Sequence, residues 1–232
     1  MIVAADGNVS ARLGPDRILV TPTGVCKGFL APEDLVVTDM DGVPVRSGVK
    51  CSTEIAMHVV CYRHRPDIKA VVHAHPPTAV AFSVAGRVLE PHVLPEVVVT
   101  LGIVPTLPYT DPGSYEVPDA VGPAIENCEA LILEFHGALA VGDSVMSAYF
   151  KLEKVEHAAH ILLMAHQLGG IRMLSREAIL KLQETQKRVG ITIGLPPAYR
   201  QGYTGAAEDL DQEALIAQVT AAVIRQLQAG SR

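Results

Sequence analysis

At 232 residues, 49% of them hydrophobic and 19% charged, the chain has enough apolar side chain to build the core of one compact domain with a short appendage. Nineteen Lys and Arg against 25 Asp and Glu, a net charge of −6 and no basic block exclude a nucleic-acid groove, and no run approaches the roughly 20 apolar residues of a membrane helix. Asp6 interrupts the N-terminus before a signal-peptide core, and the four cysteines form no CxxC pair, so the chain reads as cytosolic with reduced thiols; histidine and carboxylate are left as ligands for any metal.

The chain opens on two turns rich in amide, hydroxyl and glycine, Asp6-Gly7-Asn8-Val9-Ser10 and Thr21-Pro22-Thr23-Gly24. Backbone N–H groups of such turns suit a phosphate, although each alone is merely a turn. Ile18-Leu19-Val20 and Leu35-Val36-Val37-Thr38 read as strands, the second running into the hairpin signal Asp39-Met40-Asp41-Gly42. Ser52-Thr53-Glu54 opens a helix with Ile55, Val59 and Tyr62 on one face, and Arg65-Pro66-Asp67 ends it. A strand over residues 70–75 stops at Pro76-Pro77, and a short helix follows over residues 78–84. Apolar strands are expected over residues 96–101 and 102–107, then the turn Asp111-Pro112-Gly113-Ser114, a helix over residues 117–126 and a strand over residues 130–136 closed by Gly137. Ser144 begins the longest helix, which Gly169-Gly170 stops. Several strands are joined by turns too short for a parallel crossover, so the class is α/β with mixed or antiparallel strands.

His73-Ala74-His75 carries the first chemical signal. Positions i and i+2 of a strand share a face, so both imidazoles project together at the strand's end, and His136 stands at the end of a second apolar strand. Three neutral nitrogen ligands leave a zinc ion's charge uncompensated and its fourth position free for substrate. An HxH on a buried strand also serves as a core pair, and spacing alone leaves both readings open. His157 and His160 lie with Glu153, Lys154 and Glu156 on a face that reads as partly solvated, and His58, His64, His92 and His166 receive no role. Glu54, in the first turn of a helix behind two hydroxyls, is either an ordinary cap or a carboxylate placed to move a proton next to a carbonyl.

Taken in order, Gly7-Asn8-Val9-Ser10, Thr21 to Gly24, Ser52-Thr53-Glu54, Arg65-Pro66-Asp67, Ala70 to Pro76, Tyr109 to Ser114 and His136-Gly137 resemble the class II aldolase/adducin family over nearly all of residues 1–170. The resemblance implies a three-layer α/β/α fold around a mostly antiparallel central sheet, in a homotetramer with sites at subunit interfaces. It implies zinc on His73, His75 and His136, with Glu54 near enough to complete the shell. It implies phosphate of the substrate among Asn8, Thr23, Gly24, Ser52 and Thr53, and Glu54 as the base. The implied reaction is cleavage of a ketose 1-phosphate of the fuculose or rhamnulose type to dihydroxyacetone phosphate and an aldehyde. The same scaffold serves epimerases, dehydratases and sugar-acid-phosphate decarboxylases, and a non-catalytic adducin-like module is the reading from a different class. Where family members take a tyrosine from a neighbouring subunit, residues 92–96 offer none, which leaves Tyr109, Tyr115, Tyr199 and Tyr203 as candidates.

The catalytic domain is expected over residues 1–190. Gly and Pro crowd a linker over residues 191–210, and Leu215, Ile216, Val219, Val223 and Leu227 form an apolar stripe on a helix over residues 211–228. That helix either packs on its own domain or a neighbouring subunit, or resembles the encapsulation peptides that dock enzymes onto bacterial microcompartment shell proteins.

Overall fold

The computed structural model describes residues 3–112 and 114–188; the expected linker and terminal helix over residues 191–228 lie outside them. Seven strands form one sheet in the order β3-β2-β1-β4-β7-β6-β5. They are β1 (Asn8–Arg12), β2 (Ile18–Val20), β3 (Val36–Thr38), β4 (Ala70–Ala74), β5 (Thr106–Leu107), β6 (Ala130–Leu133) and β7 (Gly137–Gly142). Every neighbouring pair is antiparallel except β5 with β6.

Side-chain alternation along the central strands assigns the two faces. Val72, Ala74, Ile132, Ala138 and Ala140 pack with Leu152, Val155, Ala159 and Leu162 of α5 (Val145–Gln167) and with Ala79 and Phe82 of α2 (Pro77–Val84). Val71, Leu131, Leu133, Leu139 and Val141 pack on the other face with Met57 and Tyr62 of α1 (Ile55–His64) and with Val117, Val121 and Ile125 of α4 (Glu116–Ile125). This is the three-layer arrangement the resemblance implies, around a mostly antiparallel sheet. No described helix is long and apolar enough to cross a membrane.

Three local expectations are corrected. Residues 96–101 form not a strand but α3 (Pro95–Thr100), and only Thr106 and Leu107 of the following segment join the sheet. Pro95 supplies a preset φ at the first helical position, and Val98 and Leu101 are buried, which outweighs the strand preference of consecutive valines. The strand expected to run to His136 ends at Leu133, and Gly137 begins β7 rather than closing an element. Gly-Ala-Leu-Ala-Val-Gly carries little strand propensity, yet all of β7 is buried between β4 and β6. The third is Asn8 to Ser10, which is the start of β1 rather than a turn. A further helix, α6 (Arg176–Arg188), follows α5.

Glu153, His157 and His160 are exposed, as the partly solvated reading of this helix face expects, and Glu156 turns inward. Its carboxylate accepts from the Thr78 N–H at 2.9 and 3.0 Å, the Thr78 hydroxyl at 2.7 Å and the Ala79 N–H at 2.9 Å. Those N–H groups are orphans of the first turn of α2, so an anion there satisfies them and the helix dipole together. Glu156→Ala is expected to cost about 1–3 kcal/mol, seen as a fall of the thermal midpoint by several degrees. An unchanged midpoint would show that the cap contributes nothing.

Candidate active site

β4 and the β6–β7 hairpin bring three imidazoles to one end of the sheet. His73 is the fourth residue of β4 and lies opposite Asn8 of β1; His75 follows the strand's end, and His136 sits in the hairpin turn. Ring centroids are 4.9, 5.0 and 5.1 Å apart with interplanar angles of 60°, 63° and 66°, a three-bladed propeller. One nitrogen from each ring lies within 4.8 Å of the others. The Nε2 atoms of His73 and His75 are 3.2 Å apart. Two ligands of a tetrahedral zinc stand roughly 3.3 Å apart, given Zn–N bonds of about 2.0–2.1 Å. His73 Nδ1–H donates to the Ala138 carbonyl at 3.0 Å, which leaves its Nε2 lone pair facing the cluster. The donor set therefore fits a divalent metal.

Gly137 is required by this packing. A Cβ there would lie 2.6 Å from the Ala74 carbonyl oxygen and 2.8 Å from atoms of both the His73 and His75 rings. One residue before His136, Phe135 takes a left-handed φ of 59°, its N–H donating to the buried Ser83 hydroxyl at 3.1 Å. That unusual backbone conformation turns the chain at the ligand-bearing hairpin.

Glu54 is the residue immediately before α1. Its Oε1 lies 3.2 Å from His136 Nε2 and its Oε2 lies 3.6 Å from His73 Nε2. Asn8 Nδ2–H donates to Oε2 at 2.7 Å. Burial alone would push this carboxyl up, but the hydrogen bonds from His136 and the Asn8 amide outweigh it and hold Glu54 well below its usual range. Burial pushes His73 down to about 3 and lowers His75, so both rings are neutral at pH 7. The N–H donors from His136 and Asn8 are then the main support for the Glu54 charge.

The turns expected to hold phosphate converge on the same corner. An isolated bridge pairs Pro22 with Cys51, and Thr21 ties its turn to β1 through N–H to the Val9 carbonyl at 3.0 Å. Thr23 and Gly24 are thereby brought toward Ser52 and Thr53. Gly24 has φ 70° and open space around its Cα, and Thr53 is exposed. Ser52 is buried, its hydroxyl accepting from the Glu54 N–H at 3.2 Å. Asn8 differs from the others: it is buried, with its amide committed to Glu54 and its Oδ1 to His58. Of the candidate tyrosines, Tyr109 is exposed and donates to Asp111 at 2.8 Å, Tyr115 is exposed, and Tyr199 and Tyr203 lie outside the described residues.

His58, given no role from sequence, lies fully buried one step behind this site, with Ser10 and Tyr62. The signal was available: Glu54, His58 and Tyr62 recur at i, i+4 and i+8 of a helix, and Asn8 and Ser10 at i and i+2 of a strand. Burial pushes His58 down from 6.5 to about 4. The unfolded chain takes up a proton near 6.5 that the folded chain refuses until about 4. The stability contribution is therefore complete above pH 6.5 and is lost as pH falls through that window, amounting to about 3 kcal/mol by pH 4. Denaturant unfolding of wild type and His58→Gln at pH 7 and 4.5 should show a shallower acid loss in the variant; equal losses would contradict the assignment.

Comparison with known proteins agrees with this fold. The model of the class II aldolase and adducin N-terminal domain matches residues 1–163. An L-fuculose phosphate aldolase of Methanococcus maripaludis is 34% identical over 160 residues, covering 69% of this chain and 86% of its own. A 3-oxo-tetronate 4-phosphate decarboxylase of Escherichia coli is 34% identical over 184 residues, covering 76% and 84%. The crystal structure of an L-fuculose-1-phosphate aldolase from Thermus thermophilus superposes with a TM-score of 0.64 at 37% identity, over 72% of this chain and 86% of that one. The chain belongs to the class II aldolase and adducin N-terminal domain family.

Proposed function

We propose that this protein is a zinc-dependent aldolase that cleaves a ketose 1-phosphate, of the fuculose or rhamnulose type, to dihydroxyacetone phosphate and an aldehyde. The observation that carries the reading is the Glu54 carboxylate 3.2 Å from His136 and 3.6 Å from His73, a base beside a metal-binding triad. His73, His75 and His136 would hold the ion, with Glu54 close enough to complete its shell. When bound, the metal supplies positive charge beside the substrate's carbonyl oxygen, where negative charge develops. Thr23, Gly24, Ser52 and Thr53 would hold the phosphate through hydroxyls and backbone N–H groups, and Asn8 contributes from behind by orienting Glu54. In the condensation direction, Glu54 takes a proton from the hydroxymethyl carbon of dihydroxyacetone phosphate to leave the enediolate. In cleavage, the hydroxyl on the departing carbon gives its proton to solvent as its oxygen becomes the aldehyde, the bond to that carbon breaks with its electron pair remaining as the enediolate, and Glu54, protonated from solvent, delivers the proton that completes dihydroxyacetone phosphate.

The similarity to a 3-oxo-tetronate 4-phosphate decarboxylase supports a second reading. A 3-oxo-tetronate 4-phosphate that loses its carboxylate as carbon dioxide leaves the same enediolate, and protonation gives the same dihydroxyacetone phosphate. The two readings differ in the departing fragment alone. Incubation with fuculose 1-phosphate, rhamnulose 1-phosphate and a 3-oxo-tetronate 4-phosphate separates them: aldehyde with dihydroxyacetone phosphate supports the aldolase, and carbon dioxide with dihydroxyacetone phosphate supports the decarboxylase. Release of dihydroxyacetone phosphate from none of the three would overturn both.

A homotetramer is part of the proposal. So is docking of residues 211–228 on a microcompartment shell protein in helix-in-groove fashion, for which the apolar stripe of the sequence is the support. Fusing residues 204–232 to a fluorescent protein in a shell-producing host is expected to give puncta; diffuse fluorescence would refute the shell partner.

A further inference from the structure

Behind the Glu54 carboxylate runs a line of buried polar side chains of which the proposed chemistry uses Asn8 alone. Tyr62 OH lies 2.8 Å from Ser10 Oγ, and Ser10 Oγ lies 2.7 Å from His58 Nδ1. His58 Nε2 meets Asn8 Oδ1, and Asn8 Nδ2 meets Glu54 Oε2 at 2.7 Å. Tyr62, Ser10, His58 and Asn8 are each 3% exposed or less. Water is thus kept from most of the line, and the donors and acceptors must satisfy one another.

The direction of every bond follows by elimination, starting at the site. An ionised Glu54 has acceptors only, whether it faces an imidazole N–H or a cation, so the group turned to it must be the Asn8 NH2. That leaves the Asn8 carbonyl oxygen facing His58, and the His58 Nε2 must carry a proton. Burial keeps the ring neutral, pushed down to about 4, so Nδ1 is then a lone pair. Ser10 must donate to it. The Ser10 oxygen is free to accept, and Tyr62 O–H donates into it. Each member has one role available, and each role points the same way.

We propose that Tyr62, Ser10, His58 and Asn8 form a one-way chain of hydrogen bonds, every donor aimed towards Glu54, which sets the orientation of the Glu54 carboxylate against the histidine cluster. Its members are positioning residues: Asn8 alone touches Glu54, and the other three act through it. Aligned donors polarise one another, so loss of a remote member weakens the Asn8–Glu54 bond as well as its own. β1 contributes Asn8 and Ser10 and α1 contributes His58 and Tyr62, so the chain also stitches the helix that follows Glu54 to the strand opposite His73. The role given to Glu54 rests on the function proposed above; the hydrogen-bond order does not.

The test has two readouts. In wild-type protein with 15N-labelled histidine, the ring nitrogens of His58, assigned by their loss in His58→Gln, should report a neutral ring protonated at Nε2 from pH 6 to 8. In Ser10→Ala the Nδ1 partner is gone while the Asn8 carbonyl still holds the proton on Nε2, and the Nδ1 resonance is expected to shift to that of a lone pair without a hydrogen bond. The same variant should slow solvent-deuterium exchange at the hydroxymethyl carbon of dihydroxyacetone phosphate roughly tenfold to a hundredfold, with the dissociation constant of that ketone phosphate and the metal content unchanged. A wild-type ring protonated at Nδ1, or doubly protonated at neutral pH, overturns the chain. So does a Ser10→Ala variant with both ring signature and exchange rate intact. Absence of exchange in the wild type would count against the proposed function, and the ring readout would still decide the chain.

Discussion

His136→Ala is expected to abolish metal retention and to lower turnover by roughly a thousandfold or more while leaving the fold in place. A Lewis acid contributes several kcal/mol at a developing oxyanion, and each 1.4 kcal/mol is tenfold in rate. The fold should survive because His136 lies in a hairpin turn at the end of the sheet, outside both hydrophobic clusters, with its side chain 14% exposed. His73→Ala should lose metal and turnover equally and cost more stability, since it removes a buried ring and the bond to Ala138. Elemental analysis after dialysis checks the metal, and circular dichroism checks the fold. Turnover at the wild-type level in either variant would remove the metal assignment.

Glu54→Gln should separate the base from the metal site. The amide keeps the shape and has no basic oxygen at neutral pH. Metal content is expected to remain normal, and proton exchange at the hydroxymethyl carbon of dihydroxyacetone phosphate to fall by roughly a hundredfold to ten-thousandfold. The structure sharpens this expectation. Asn8 donates to Oε2, so a carboxamide must keep its oxygen towards Asn8 and turn its NH2 towards the metal side, or set donor against donor at Asn8. Exchange near the wild-type rate would exclude Glu54 as the base.

The parts of the site that were legible in the sequence are those written in strand and helix periods. His73 and His75 share a face because they are two apart, and His136 stands out because a run of apolar residues ends just before it. What the sequence hid was context. β7 is Gly-Ala-Leu-Ala-Val-Gly, weak by propensity, and is a strand because β4 and β6 flank it and both its faces are buried. α3 carries three valines and is a helix because Pro95 starts it and a buried side sustains it. Asn8, expected at a phosphate, is turned to Glu54 and His58 because β1 pairs it directly with His73. The helical spacing of Glu54, His58 and Tyr62 was legible, but the part His58 plays depends on Ser10 and Asn8, 48 and 50 residues away in sequence and adjacent only once β1 lies beside α1.

The central claim is that the histidine cluster and Glu54 together make the hydroxymethyl protons of a phosphorylated ketone exchangeable, and deuterium exchange of dihydroxyacetone phosphate tests it most directly. The protein is stripped with a chelator, shown by elemental analysis to be free of metal, and then given one equivalent of zinc per chain, with uptake followed by proton NMR at each stage. The account predicts that exchange disappears on stripping and returns with zinc; undiminished exchange in the metal-free protein, or none after one zinc is bound, would contradict it.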